Sequence, residues 1–112
     1  MDVITIYLTT PNRELALRIA HELIEQQLIA CANILGEITS VYHWDGAIHN
    51  DPEIGMFLKT RSHLLDAVTR QIQRRHPYKC PCIVAWNTIG GNEAYSDWVR
   101  QETLPETPPN AA

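Results

Sequence analysis

The dipeptide Asp45-Gly46 constrains this chain more than any other feature. A two-residue turn between twisted strands wants positive φ at both central positions, and Asp-Gly supplies that cheaply. The flanks agree, because Ile38–Trp44 and Ala47–Thr60 both have strand-like composition. Upstream, Ile29–Leu35 is strand-like too, with Gly36 as a break, and Pro52 interrupts the return arm because it cannot donate to a ladder. The predicted element is a hairpin of about 30 residues, Ile29 to Thr60, where ordinary strands run to about six. One small domain cannot cover it. Its overhang carries Ile38, Val41, Tyr42, Trp44 and Ile48, costly to leave in water at about 25 cal/mol per Å², and open backbone edges. Pairing with sister copies, closed by rotational symmetry, answers both problems. The alternative is a hairpin that folds back over its own sheet at Gly36 and Pro52.

The remaining elements follow from periodicity. Val3–Thr10 (VITIYLTT) is β-branched and aromatic, a central strand. After Thr10-Pro11, the residues Ala16, Ile19, Ala20, Leu23, Ile24 and Leu28 fall on one helical stripe. That predicts a helix over about Pro11–Gln27, capped by Thr10 or Asn12. A second helix, capped by Thr60 or Ser62, carries Leu64, Leu65, Ala67, Val68 and Ile72 and ends at His76-Pro77. Cys82–Ile89 reads as the fourth strand. Gly90-Gly91-Asn92 turns into a short helix containing Tyr95, Trp98 and Val99. The order strand, helix, strand, strand, helix, strand is the ferredoxin-like βαββαβ arrangement of an α+β fold, with two helices on one face of the sheet. Residues 1–103 are expected to form one domain and 104–112, PETPPNAA after Leu104, a flexible tail or one draped on the surface.

Composition narrows the function classes. With 112 residues one domain is the expectation. The 45% hydrophobic content suits a globular core. Nine Lys+Arg stand against 13 Asp+Glu, a net charge of -4, a poor basis for neutralising phosphates, so no nucleic-acid partner is expected. No apolar run approaches the roughly 20 residues of a spanning helix, and no leader pattern opens the chain; a cytoplasmic protein without a membrane partner is expected. Three cysteines cannot all pair within one chain.

Several landmarks occur together and in order: Thr10-Pro11-Asn12, Ile29-Ala30-Cys31-Ala32-Asn33-Ile34, Ser40-Val41-Tyr42-His43-Trp44-Asp45-Gly46, Leu58-Lys59-Thr60, His76-Pro77-Tyr78 with Pro81, and Gly91-Asn92 followed by Tyr95-Ser96-Asp97-Trp98. The Tyr-x-Trp-x-Gly tip, the His-Pro-Tyr turn and the closing Gly-Asn-x-x-Tyr-x-x-Trp are specific in combination. The chain resembles the CutA family of divalent-cation tolerance proteins from about Val3 to Gln101. The resemblance implies a ferredoxin-like fold, a homotrimer built by the long hairpins, and a role in tolerance of or response to divalent metals, with copper as a ligand and no enzyme reaction. Family copper ligands carried over by position fall on Leu8, Arg75 and His76. Leu8 cannot bind a metal and Arg75 would repel one, so only His76 survives. Where the family has Glu, this chain has Cys82.

Three groups of residues could carry chemistry. His76, Cys80 and Cys82 place an imidazole and two thiols within seven residues, and such ligands suit Cu(I) or Zn(II). The thiols share a face only if their segment is a strand. The other reading is a helix-capping histidine with two incidental thiols, one buried. Lys59, Tyr78 and Trp98 could form a ligand cleft, with an ammonium and an aromatic wall for an anionic small molecule; the other reading makes the aromatics core or interface residues and pairs Lys59 with an acid. Finally, His43 and His49 flank the hairpin turn and could face each other across it. Trp44 reads as an exposed aromatic for another subunit to bury, Trp86 as packing, and Cys31 as a small buried hydrophobe. Gly90-Gly91-Asn92 reads as a plain turn. No phosphate loop, dinucleotide fingerprint, His-Glu-x-x-His or Cys-x-x-Cys pair is present.

The expected function is a non-enzymatic, trimeric, metal-responsive protein that binds copper or another soft divalent ion weakly or conditionally. Two further classes remain open: a small-molecule effector-binding regulator resembling trimeric PII-type signalling proteins, and an assembly scaffold.

Overall fold

A computed structural model describes residues 2–107. In chain order the elements are β1 (Val3–Thr10), α1 (Arg13–Glu25), β2 (Cys31–Trp44), β3 (Ala47–Arg61), α2 (Leu65–Arg75), β4 (Ile83–Asn87) and α3 (Glu93–Glu102). The sheet runs β2-β3-β1-β4, each neighbour antiparallel. This is the ferredoxin-like α+β architecture expected from the element order.

Alternation along β1 and β3 sorts the sheet into two faces. Ile4, Ile6 and Leu8 of β1 and Met56 and Leu58 of β3 meet Ala16, Ile19 and Leu23 of α1 and Val68 and Ile72 of α2 in the main core. Each such large side chain contributes about 1.5–3 kcal/mol by leaving water. The other face is barer. At one end Val99 of α3 forms a small separate core with Val3 and Ala30. Elsewhere Tyr7 contacts Phe57 and Trp86, with ring centroids at 5.4 and 6.2 Å.

Boundaries differ from expectation where backbone chemistry intervenes. The first helix begins at Arg13 rather than Pro11, because Asn12 is its cap: the Asn12 side chain accepts from the Leu15 N–H at 2.8 Å. It ends at Glu25, and Gln27 turns the chain with φ 57°. Neither Thr60 nor Ser62 caps the second helix. Thr60 lies in β3, where its hydroxyl donates to the Leu28 carbonyl at 2.6 Å, and a 3-10 turn, Ser62–Leu64, leads into α2 without a side-chain cap. Cys82, Thr88 and Ile89 fall outside the shorter β4.

The hairpin is a single ribbon. The break expected at Gly36 becomes a register shift between Ile34 and Glu37, after which pairing resumes from Glu37↔Ile54 to Trp44↔Ala47. Asp45 and Gly46 take φ 50° and 80°, as the turn requires. β1 pairs only with residues 54–61 of β3; beyond them the two hairpin arms have each other alone. Val41, Trp44 and Ile48 are well exposed there, Ile48 at 72%.

The start of the tail is anchored: the Leu104 N–H donates to the Gln27 carbonyl, and the Leu104 carbonyl accepts from Arg61 and bonds His63. The rest of the predicted tail, 108–112, lies outside the described residues. No helix among the described residues is long and apolar enough to cross a membrane.

Candidate functional site

Alternation on the ribbon also builds the main concavity. Residues Ser40, Tyr42 and Trp44 of β2 share one face with Ile38 by spacing, and the pairs Ser40↔Asp51 and Ile38↔Glu53 place Asp51 and Glu53 of β3 on it too. Opposite them stand Tyr7 and Thr9 of β1 and the loop before β4, which brings Tyr78, Lys79, Cys80 and Cys82. Asp51 excepted, these residues line a groove of about 560 Å³.

Glu53 is the unusual member. It is only 7% exposed, and its Oε2 accepts from the Tyr78 hydroxyl at 3.1 Å. None of the ion pairs among the described residues involves it. Asp51 accepts a hydrogen bond from the Tyr42 hydroxyl. The neighbours register this negative charge. Burial, then the bond to Glu53 and its charge, push Tyr78 up to about 12. Burial first, with Cys82 and Glu53 after it, raises Tyr7. Burial first, with Glu53 and Cys80 after it, raises the Cys82 thiol. The bond to Asp51 leads for Tyr42, also shifted up.

His76, Cys80 and Cys82 are not gathered as a trio. His76 is buried, its Nε2 lies 2.8 Å from the Thr9 carbonyl, and its Nδ1 is 3.2 Å from the Tyr78 N–H. A carbonyl only accepts and a backbone amide only donates, so Nε2 carries the proton and Nδ1 accepts. Both nitrogens are in use, tying β1 to the loop. Cys80 and Cys82 are exposed in that loop, before β4 begins, so the strand condition for a shared face is not met. Among the described residues no three His, Cys, Asp or Glu side chains are placed to hold a metal ion. The carried-over family positions fare likewise: Leu8 is wholly buried, and the Arg75 guanidinium bonds Glu22 at 2.9 Å, linking α2 to α1.

Lys59, Tyr78 and Trp98 do not converge either. Lys59 lies on the barer sheet face and donates to the Asn33 side chain. Tyr78 lines the groove. Trp98 borders a separate hollow of about 280 Å³ with Ile24 and Ile29. His43 and His49 are on opposite ribbon faces, since the register pairs His43 with Ile48 and His49 with Tyr42. His49 stacks on Tyr42 instead, at 5.4 Å. Cys31 is half-buried rather than buried, its Sγ 3.2 Å from the Tyr95 hydroxyl, and Trp86 packs on Tyr7 while staying 52% exposed.

Sequence reasoning missed Glu53 as a site residue. The signal was present in its parity with Asp51, but only the loop before β4, whose Tyr78 hydroxyl reaches Glu53, turns that parity into a buried position.

Comparison with known proteins supports the resemblance. The model of the family described as CutA1 divalent ion tolerance protein matches residues 4–102. "Protein CutA 1, chloroplastic" of rice (Oryza sativa subsp. japonica) is 40% identical over 100 residues, 89% of this chain and 56% of that protein. The chain thus spans just over half the length of that plant relative. "Divalent-cation tolerance protein CutA" of Thermus thermophilus is 38% identical over 98 residues, 88% of this chain and 95% of that protein. The crystal structure of CutA1 from Oryza sativa superposes with a TM-score of 0.91 at 38% identity, covering 95% of this chain and 97% of that one. With the family model, sequence and fold in agreement across nearly the whole chain, it belongs to the CutA1 divalent ion tolerance family.

Proposed function

We infer that the protein is a non-enzymatic, metal-responsive cytoplasmic oligomer, a homotrimer assembled through its ribbons, that binds copper or another soft divalent ion weakly. The family carries the link to divalent-cation tolerance. The observation that supports metal binding by this chain is the pair Cys80 and Cys82, two exposed thiols on one loop at the rim of the groove. Thiolates favour soft ions such as Cu(I). Two thiols without His76 make an incomplete set, so copies brought together would supply the remaining ligands, which makes binding weak and dependent on assembly. The exposed apolar ribbon supports that assembly, as Val41, Trp44 and Ile48 need cover.

The test is a Cu(I) titration of the full chain under reducing conditions, run beside Cys80→Ala/Cys82→Ala and beside His76→Gln. The double cysteine variant should lose binding and the histidine variant keep it. Equal affinity in all three would remove the thiols from the reading. Sedimentation of the untreated protein at micromolar concentration should give a trimer; a stable single copy would overturn the assembly.

A further inference from the structure

We propose that the loop before β4 is a thiol–disulfide modification site, in which Cys80 and Cys82 close to a bridge within the loop on reaction with a small-molecule disulfide and reopen with a small thiol. Spacing comes first. A single residue, Pro81, separates the two thiols. Two residues span at most about 7 Å between Cα atoms when fully extended, and a disulfide needs about 4.4–6.8 Å. A regular strand would hold the pair at the long end of that window, at about 6.7 Å. Both cysteines instead precede β4, with Cys80 in a bend, so the segment can contract without breaking a ladder. Among the described residues no backbone hydrogen bond holds either of them. The spacing is fixed by the sequence and is the same in one copy or in an assembly.

Both thiols are free, and Cys80 is close enough to add, after burial and Glu53, to the rise of the Cys82 thiol. The remaining thiol does not compete. Cys31 starts β2, which β3 and β1 separate from β4, and its Sγ is 3.2 Å from the Tyr95 hydroxyl. The chemistry balances as two exchanges. One protein thiolate attacks a sulfur of the small disulfide, whose S–S bond breaks and releases one small thiol. The second protein thiolate attacks the protein sulfur of that mixed disulfide and releases the other small thiol. Two protein thiols are oxidised, one disulfide is reduced to two thiols, and the protein's two thiol protons end on them. Exposed pairs of this kind are labile rather than structural. Closing the bridge removes both thiolates as ligands, so, resting on the metal reading above, oxidation releases a soft ion.

The test uses the full chain, reduced and assembled as purified, with a metal chelator present. Oxidised glutathione is added, and the product is alkylated in denaturant and examined by mass spectrometry. The expected product carries one alkyl group, on Cys31, and a Cys80–Cys82 peptide lighter by two hydrogen atoms. Dithiothreitol should restore all three reactive thiols. Cys80→Ser and Cys82→Ser should each stop at a glutathione mixed disulfide, while Cys31→Ser should close the bridge as the parent does. Three results would overturn the proposal: three alkylated thiols after oxidation, a lasting glutathione adduct on the parent chain, or a bridge between copies on a non-reducing gel. Anaerobic Cu(I) titration without added thiol then compares the two forms. The bridged form should lose binding, and equal binding would overturn release of the ion. The bridge itself is measured by mass without metal, so its failure and failure of the metal reading are separate outcomes.

Discussion

The two halves of β3 have different fates. From Ile54 to Lys59 the strand runs between β1 and β2, and Met56, Leu58 and, just beyond, Thr60 are wholly buried. From Ala47 to Glu53 it is paired on one side only, and its apolar member Ile48 faces water. One strand thus serves as core and as free ribbon. The first half is held by its own chain. The second half has hydrogen bonds to one partner strand, an exposed apolar face, and a concave face that forms the groove. Local stability and functional surface are separated along a single run of residues.

Substitutions can break that contrast, and the largest effect belongs to the covered half. Leu58→Ala should cost about 2–5 kcal/mol, the range for emptying a packed leucine site, measured by urea denaturation. Next comes the buried link at His76. His76→Ala strands the Thr9 carbonyl and the Tyr78 amide, and should cost about 1–3 kcal/mol in the same assay. Asn12→Ala should lose about 1 kcal/mol with its cap to the Leu15 amide. In the free half, Ile48→Ala should change chain stability by less than about 0.5 kcal/mol, as surface sites do. Its effect belongs in sedimentation, where the ribbon reading expects weaker association; a loss as large as that of Leu58→Ala under dissociating conditions would erase the contrast.

A pH effect sharpens the comparison at the far end of β2. Burial, with the Cys31 bond and charge behind it, pushes Tyr95 up to about 12. A tyrosine whose folded value is raised stabilises the fold fully below its ordinary value near 10, and that contribution is lost as pH climbs to about 12. Melting temperatures followed upward through this window should fall less in Tyr95→Phe than in the parent chain. An identical decline would show that Tyr95 contributes nothing to it.

Much of this was legible in the residues. Asp45-Gly46 announced the hairpin, since few dipeptides accept two positive φ values. The apolar spacing of Val3–Thr10 and of α1 marked the core face, since alternation and helical periodicity are local properties. His76 was misleading for a physical reason: composition shows that an imidazole is present, while the partners of its two nitrogens lie on β1 and in the following loop. Lys59, Tyr78 and Trp98 lie on three separate elements, and proximity between elements depends on register and helix placement.

What the amino-acid order determined by itself is therefore the set of elements, the tight turn, the buried faces and the excess length of the ribbon. All of these follow from near-neighbour geometry and from the aversion of apolar groups to water. What only the tertiary structure decided is which polar groups find partners. The packing of the loop before β4 against β1 and the ribbon buried Glu53 beside Tyr78, occupied both nitrogens of His76, and left Cys80 and Cys82 exposed. Pairing of polar groups depends on distances between segments far apart in the chain, and those distances are set only when the sheet and helices pack.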